Sequence, residues 1–393
     1  MDSSLRICLL SKQFPPGVGG AETYAHELAN GLAERGHEVD VYTQWVDTPS
    51  EEADVHENVS VYRICGARRK LVAFETIRFS YIARRAIDVE KYDIIHGTMM
   101  PPSPIAVLPF NNVETPVVVT SHGTSLDETR AVALETPADY LLKFFFYPLN
   151  VLMDYIVGKQ ADGVIAISDH AYQKLTTAYG LDVEKVTMIP HGVDTEWFYP
   201  RENRHPAVSQ EQITLLYVGR LGARKGLDLA LEALAEVDIQ NVEFLIAGTG
   251  RHEDTLRELA HDLDIADSVR FLGYVSDEQL PLLYSSADAF ILPSKYEGFG
   301  LVLLEAMACG TPVIGADAGG IPTAIDTCGS GFTPNRTVSQ FAKSIEKIIQ
   351  NDETRIAMSE TGLQASQQAS WRTVAEKVEL LYQKLLNTDN ESR

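Results

Sequence analysis

The chain has 393 residues, 45% of them hydrophobic, and a formal net charge of −22. That length exceeds what one ordinary core takes up and points to two domains, and the acidity argues against general nucleic-acid binding. Its four cysteines (Cys8, Cys65, Cys309 and Cys328) lie far apart without a Cys-x-x-Cys pair, which argues against a disulfide framework or zinc site and for a reducing cytoplasm.

The opening run, "MDSSLRICLLSK", lacks the charged n-region of a signal peptide and reads as a strand at Arg6–Leu10. No run in the chain reaches the ~18 apolar residues that span a bilayer. "FPPGVGGAET" follows the first strand. Its glycines, Gly19 and Gly20 among them, let backbone approach a ligand, and the N-terminus of the next helix offers N–H groups to a phosphate. The stretch departs from the dinucleotide fingerprint. Counting from Gly17, the third glycine position holds Glu22, and Gln44 and Trp45 stand where an acid would close the second strand. The helix "AETYAHELANGLAERG" places Ala21, Ala25, Leu28, Ala29 and Leu32 on one face and stops at Gly36.

Strands at Glu38–Thr43 and Ser60–Ile64 lead into a basic segment. Between Arg63 and Lys91 there are eight basic residues and three acids, a local charge of +5. Two readings stand: a solvated helix with a core-facing side, or a patch that meets anionic lipid headgroups or a phosphorylated acceptor. Strands at Ile94–Gly97 and Pro116–Ser121 follow. His122 comes just past the second of these, in "VTSHGTS", at a strand end where both structural and functional histidines occur. Residues 138–160 are strongly apolar, interrupted by Pro148. They are expected to form a buried helix pair, with a membrane-touching role as the alternative. Strands at Gly163–Ser168 and Val186–Ile189 complete the first half.

A polar, Pro-bearing stretch at residues 199–212 reads as a linker. It separates a domain at 1–198 from one at 213–370. Strands are expected at Ile213–Val218, Val242–Ala247, Val269–Leu272, Ala289–Leu292, Pro312–Gly315 and Gly331–Thr333, alternating with amphipathic helices. This β-α alternation means two parallel, doubly wound sheets with ligands at the carboxyl ends of their strands.

"YVGRLGARKGLD" delivers Arg220 and Lys225 at a strand-to-helix turn, where two cations suit a diphosphate. Arg224 either joins them or points to solvent. In "SKYEGFGLVLLEAMACG", Glu297 and Glu305 are eight residues apart, at most about 12 Å along a helix axis. That is too far for the carboxyl pair of a glycoside hydrolase, about 5–9.5 Å. Two carboxylates at this distance hold hydroxyls at two ends of a longer ligand, and N–H groups of Gly298, Phe299, Gly300 and Leu301 between them face an anion. Hydroxyl, phosphate, hydroxyl is the pattern of a nucleotide sugar. The alternative for Glu305 is a buried acid held by local hydrogen bonds. Asp262 and Asp264, the one Asp-x-Asp pair weighed as a metal site, follow a helix and read as surface.

In order and spacing, "GVGGAE", "HGT", "GRLGARKG" and the Glu, seven residues, Glu pattern resemble the retaining glycosyltransferases of family 4. "IPHGVD" (189–194) and "FLGYVSDEQL" (271–280) fit the same family, and the likeness covers nearly the whole chain. The resemblance implies the GT-B fold: two doubly wound Rossmann-like domains facing a central cleft, acceptor on the N-terminal one and nucleotide sugar on the C-terminal one. A last helix at about 371–388 would return to the N-terminal domain. It implies Arg220 and Lys225 on the diphosphate, Glu297 on sugar hydroxyls and Glu305 on the ribose. Gly19 and Gly20 would approach the phosphates, His122 would lie near the transferred sugar, and Gly273 and Tyr274 would line the base. The expected reaction is sugar transfer to a hydroxyl with retention, without metal or cofactor. The acceptor would be lipid-linked or anionic, and the enzyme cytoplasmic or peripheral on the inner membrane face through Arg63–Lys91. A GT-B nucleotide-sugar epimerase and a non-catalytic nucleotide-sugar-binding protein remain as alternatives.

Overall fold

The computed structural model describes residues 4–15, 19–45, 54–66, 72–100, 114–131, 140, 143–144, 147–237 and 241–392. The chain divides into two compact units, Met1–His191 with Trp371–Arg393, and Gly192–Ser370.

The first unit is a parallel sheet of β1 (Arg6–Leu10), β2 (Glu38–Trp45), β3 (Val59–Gly66), β4 (Ile94–Gly97), β5 (Val117–Ser121), β6 (Gly163–Ala166) and β7 (Val186–Met188), in the order β3-β2-β1-β4-β5-β6-β7. Its helices include α1 (Gly20–Glu34), α2 (Val72–Ala86), α3 (Ser125–Ala131), α4 (Tyr147–Gln160) and α5 (Asp169–Gln173). The second unit is a parallel sheet of β8 (Ile213–Val218), β9 (Val242–Ala247), β10 (Val269–Gly273), β11 (Ala289–Leu292) and β12 (Val313–Gly315), in the order β10-β9-β8-β11-β12. Around it lie α6 (Leu227–Ala235), α7 (Glu253–Asp262), α8 (Leu280–Ser286), α9 (Leu301–Ala308), α10 (Ile321–Cys328), α11 (Val338–Gln350) and α12 (Asp352–Ser366). The chain then returns to the first unit as α13 (Trp371–Ser392).

Because side chains alternate across a strand and parallel partners share a face, the register assigns each helix to a side. Cys8 pairs with Ile95, Ile95 with Val117, and Val119 with Val164. On this face Ala83 of α2 packs with Cys8, Ile95 and Val117, and Val157 of α4 packs with Val119 and Val164. The opposite face carries α1 and α13. There a buried chain of hydrogen bonds runs from Tyr382 Oη to His96 Nδ1 (2.6 Å), from His96 Nε2 to Thr120 Oγ1 (2.8 Å), and on to Tyr24 Oη (2.9 Å). Burial pushes the His96 pKa down to about 3, so the imidazole is neutral. Gly31 lets α1 approach α13 closely, since a Cβ there would lie 2.8 Å from that of Ala375. The buried Glu379 of α13 pairs with Arg35 and, at 3.3 Å, with His37.

Three expectations need correction. Gly331–Thr333 forms only a single bridge, from Phe332 to Ile314, because Pro334 has no N–H to extend the ladder. Residues 199–212 are not a free connection. Arg201 and His205 donate backbone N–H groups to Ser285 Oγ (3.1 Å) and Ser286 Oγ (2.8 Å), and Val208 is buried. The units divide instead between His191 and Gly192, where Val193 N–H donates to the Ala369 carbonyl (2.8 Å). Finally, α4 is not a buried helix. Gly158 fits beneath Leu181 and Met100, and Asp154 turns inward to accept hydrogen bonds from Ser125 N–H (2.9 Å) and Tyr179 Oη–H (3.1 Å). That choice of inner face leaves Leu149, Leu152 and Tyr155 exposed. Much of residues 132–146 lies outside the described residues.

Candidate active site

In the second unit the strand order reverses between β8 and β11, the place where open α/β sheets bind ligands at strand carboxyl ends. β8 leads through Gly219 and Arg220 to a short turn, Ala223–Lys225, and then to α6. Arg220 is exposed, and its carbonyl accepts the buried Tyr217 hydroxyl (3.0 Å). Gly226 is the one residue that fits its position: φ is +66°, and a Cβ would sit 2.3 Å from the Pro293 carbonyl oxygen. This contact brings the turn after β8 against the loop after β11.

Lys225 thereby reaches Glu297. Its Nζ lies 2.5 Å from Oε1, which also accepts from Ser294 Oγ (2.8 Å). Arg224 stands 3.5 Å from Oε2 and donates to the Tyr296 carbonyl (2.8 Å). Burial acts to raise the Glu297 pKa, but the two cations and the Ser294 hydroxyl outweigh it and hold the carboxyl below its ordinary range. The result is an ionised acid between two cations, with Arg224 joining the cluster rather than pointing away. The loop that carries Glu297 is braced from the other side. Gly320 N–H donates to the Glu297 carbonyl (2.8 Å), and a Cβ on Gly320 would lie 2.0 Å from the Gly298 carbonyl oxygen. Phe299 is buried, and Gly300 opens α9 at Leu301 without a side-chain cap. Leu303 N–H donates to the Gly300 carbonyl (2.9 Å), and no side-chain cap meets the two N–H groups before it, those of Leu301 and Val302.

Glu305 lies on α9, one turn beyond Leu301. Tyr284 on α8 donates its hydroxyl to Oε2 (2.9 Å). Burial, aided by Asp277, pushes the Glu305 pKa up to about 7 against the opposing hydrogen bond from Tyr284. Gly273 ends β10 and accepts from Gly248 N–H (2.7 Å), and the following Tyr274 is 76% exposed. Asp262 is the last residue of α7, and Asp264 sits in the left-handed turn after it (φ 57°).

Gly19, Gly20 and His122 belong to the first unit. Gly19 caps the N-terminus of α1, where a Cβ would meet Glu22 Oε2 at 2.6 Å. His122 Nε2 is 2.6 Å from the Thr98 carbonyl and Nδ1 is 3.2 Å from His191 Nε2. A carbonyl only accepts, so Nε2 carries the proton and Nδ1 accepts from His191. Burial lowers the His122 pKa to about 4, so the ring is neutral. Tyr24 and His191 pack against it at 5.0 and 5.1 Å, and Trp371 packs on His191 at 5.5 Å. As it stands, the ring has both nitrogens engaged within the protein.

Sequence reasoning did not find Ser294, Tyr284 or His191 as partners of the candidate residues. Each lies within a motif already quoted or one turn from it, but only the fold pairs them.

Two family models match the chain: "Glycosyltransferase Family 4" over residues 18–197 and "Glycosyl transferases group 1" over residues 200–365. A D-inositol 3-phosphate glycosyltransferase of Kineococcus radiotolerans is 29% identical, with 96% of this chain and 95% of that protein covered. Among solved structures, the sucrose-phosphate synthase of Thermosynechococcus elongatus aligns with a TM-score of 0.82 at 23% identity, covering 98% of this chain and 100% of that one. Anabaena HepE in complex with UDP-glucose aligns with a TM-score of 0.70 at 19% identity, covering 97% and 100%.

Proposed function

The chain belongs to family 4 of the glycosyltransferases and is a glycosyltransferase of GT-B fold, and we propose that it moves a sugar from a nucleoside-diphosphate sugar to an acceptor hydroxyl with retention of configuration and without a required metal. The observation that carries this reading is the cluster at the carboxyl ends of β8 and β11. An ionised Glu297 lies between Lys225 and Arg224, beside an uncapped helix start.

As the glycosidic bond breaks, negative charge grows on the terminal phosphate of the leaving nucleoside diphosphate. Arg220, Lys225 and the N–H groups from Gly298 to Leu301 stabilise that charge in place of a cation. Glu297 accepts hydrogen bonds from the sugar hydroxyls, and its pairing with Lys225 sets sugar and phosphate side by side. Glu305 accepts from the ribose hydroxyls, with Gly273 and Tyr274 beside the base. The acceptor attacks on the face from which the diphosphate departs, and the departing phosphate takes its proton. The acceptor in this reading is anionic, a free phosphate ester or a lipid-linked precursor; the inositol 3-phosphate in the name of a relative is in line with the phosphate ester. HepE bound to UDP-glucose supports a nucleotide-sugar donor.

The test is calorimetric titration with UDP, GDP and ADP, followed by turnover with the matching sugars. One nucleotide binds the wild type, and Arg220→Ala/Lys225→Ala abolishes the binding. Nucleoside diphosphate is released only with an acceptor present, EDTA leaves the rate unchanged, and NMR of the product shows the donor's anomeric configuration. No binding of any nucleotide at millimolar levels overturns the reading; inversion or EDTA sensitivity overturns the corresponding part.

A further inference from the structure

Where the turn after β8 meets the loop after β11, Gly226 is hemmed in from two sides. A Cβ there would lie 2.3 Å from the Pro293 carbonyl oxygen and 3.0 Å from Arg336 Nη2. Arg336 reaches this place from between the Phe332 bridge and α11. Its path is set locally. Phe332 N–H donates to the Val313 carbonyl (3.0 Å) and Asp317 N–H to the Pro334 carbonyl (2.9 Å), so the chain runs along the free edge of β12 as far as Pro334. Asn335 N–H then donates to Gln340 Oε1 (2.9 Å) and Thr337 N–H to the Asn335 carbonyl (2.7 Å), which turns the chain at Arg336. The side chain extends back across the sheet end to β11, where its Nε donates to the Pro293 carbonyl (3.3 Å).

That carbonyl needs a donor. Pro293 is buried, and a buried carbonyl left unpaired is costly. Successive carbonyls of a strand point to opposite neighbours. That of Leu292 faces β12 and accepts from Ala316 N–H (2.9 Å), so that of Pro293 faces the other side, where β8 has already ended at Val218. Arg336 supplies the donor that the sheet does not, and among the described residues this is its one hydrogen bond. Burial lowers the pKa of its guanidinium, against the pull of Asp228, so the side chain bears a desolvation cost that a solvated arginine does not. Asp228 also meets Lys295 Nζ at 3.2 Å, but that pair is close to half exposed and holds little. Pro293 is the root of the loop that carries Ser294 and Glu297, and Gly226 directly follows Lys225.

We infer that Arg336 is a positioning residue for the donor site: by holding the Pro293 carbonyl beside Gly226, it sets the loop of Glu297 at bonding distance from Lys225. The inference rests on the nucleotide-sugar reading of that cluster. Lys225 and Glu297 stand on separate turns, 72 positions apart, yet meet at 2.5 Å. A pair this close persists only while both turns are pinned. Arg224 also ties them, through its side chain to the Tyr296 carbonyl (2.8 Å) and through its own carbonyl to Lys295 N–H (2.8 Å). Those bonds act further along the loop, whereas Arg336 fixes the point where the loop leaves the sheet. Without its N–H the Pro293 carbonyl must turn to water, and a small shift of that root carries Ser294 and Glu297 with it.

The experiment is calorimetric titration of the full chain with UDP, GDP and ADP, comparing wild type, Arg336→Met, Arg336→Lys, Lys225→Ala and Lys225→Ala/Arg336→Met. The expected result is that one of the three nucleotides binds the wild type. Arg336→Met keeps the length of the side chain without donor or charge and weakens that binding roughly tenfold. Arg336→Lys, with a donor and a charge, recovers most of the loss. In the Lys225→Ala background Arg336→Met has little further effect, because the contact it sets is gone. Arg336→Gln, a milder change, carries the expectation of Arg336→Met where that variant folds poorly. Wild-type affinity in a folded Arg336→Met overturns the inference, even with lowered melting, since a brace of the fold alone behaves that way. An equal loss in both backgrounds also overturns it and makes Arg336 a direct ligand of the nucleotide. Both of these leave the nucleotide-sugar reading intact, whereas a wild type that binds none of the three nucleotides overturns that reading and the inference with it.

Discussion

Glu305 is an acid in an apolar helix, with its pKa raised from an ordinary 4.5 to about 7. Between these values the folded protein holds a proton that the unfolded chain has lost, so this group's contribution to stability falls as pH rises through that window. In the proposed assignment ribose hydroxyls donate to the ionised form, so nucleoside diphosphate affinity is expected to rise from about pH 6 to about pH 8. Tyr284→Phe removes the donor that favours the carboxylate and moves the inflection to higher pH. Glu305→Gln flattens the profile, weakens binding and raises the melting temperature at high pH. Calorimetry across pH decides; a flat wild-type profile refutes the assignment. For Lys225→Ala, which removes the closest partner of Glu297, kcat is expected to fall by about 10²–10³, measured at saturating donor. At this scale the sequence was half legible. Lys225 and Glu297 each stood out at a strand end, but they are 72 positions apart, and nothing local shows that they pair. The direction of Arg224 goes with the close approach of Gly226 to Pro293, whereas Ser294 bonds Glu297 within its own loop.

The elements that carry these residues were largely readable, because period-2 strands alternating with period-3.6 helices admit one class of sheet. What failed was the choice of face. An apolar run such as Tyr147–Gln160 carries little amphipathic signal, and the inward side was decided by Gly158 and Asp154, whose partners lie in other elements. Loop packing was equally silent in "AGG". There Gly319 (φ +59°) and Gly320 hold the turn before α10 against the Glu297 loop, with Cβ positions 2.2 and 2.0 Å from the carbonyl oxygens of Glu297 and Gly298. Gly320→Ala must push that loop aside. The expected cost is about 1–3 kcal/mol in denaturant unfolding, with a loss of kcat/KM that exceeds the stability effect. Wild-type kcat/KM in a folded Gly320→Ala would show that the loop position does not matter.

At the scale of the molecule, each unit has its own sheet and core, so two calorimetric transitions are expected. A saturating nucleoside diphosphate raises the one belonging to Gly192–Ser370 by mass action. Tyr382→Phe, which breaks the buried chain to His96, lowers the other at a cost of about 1 kcal/mol. A single transition moved equally by both would mean that the units unfold together. The return of α13 to the first unit also sets an order of birth. The whole of Gly192–Ser370 is synthesised before Trp371–Ser392, so the second unit has all its strands and helices while the first still lacks the helix that covers Tyr24, His96 and Gly31. The domain made first is the one finished last, and its half-covered sheet must be kept from wrong partners until the ribosome delivers α13.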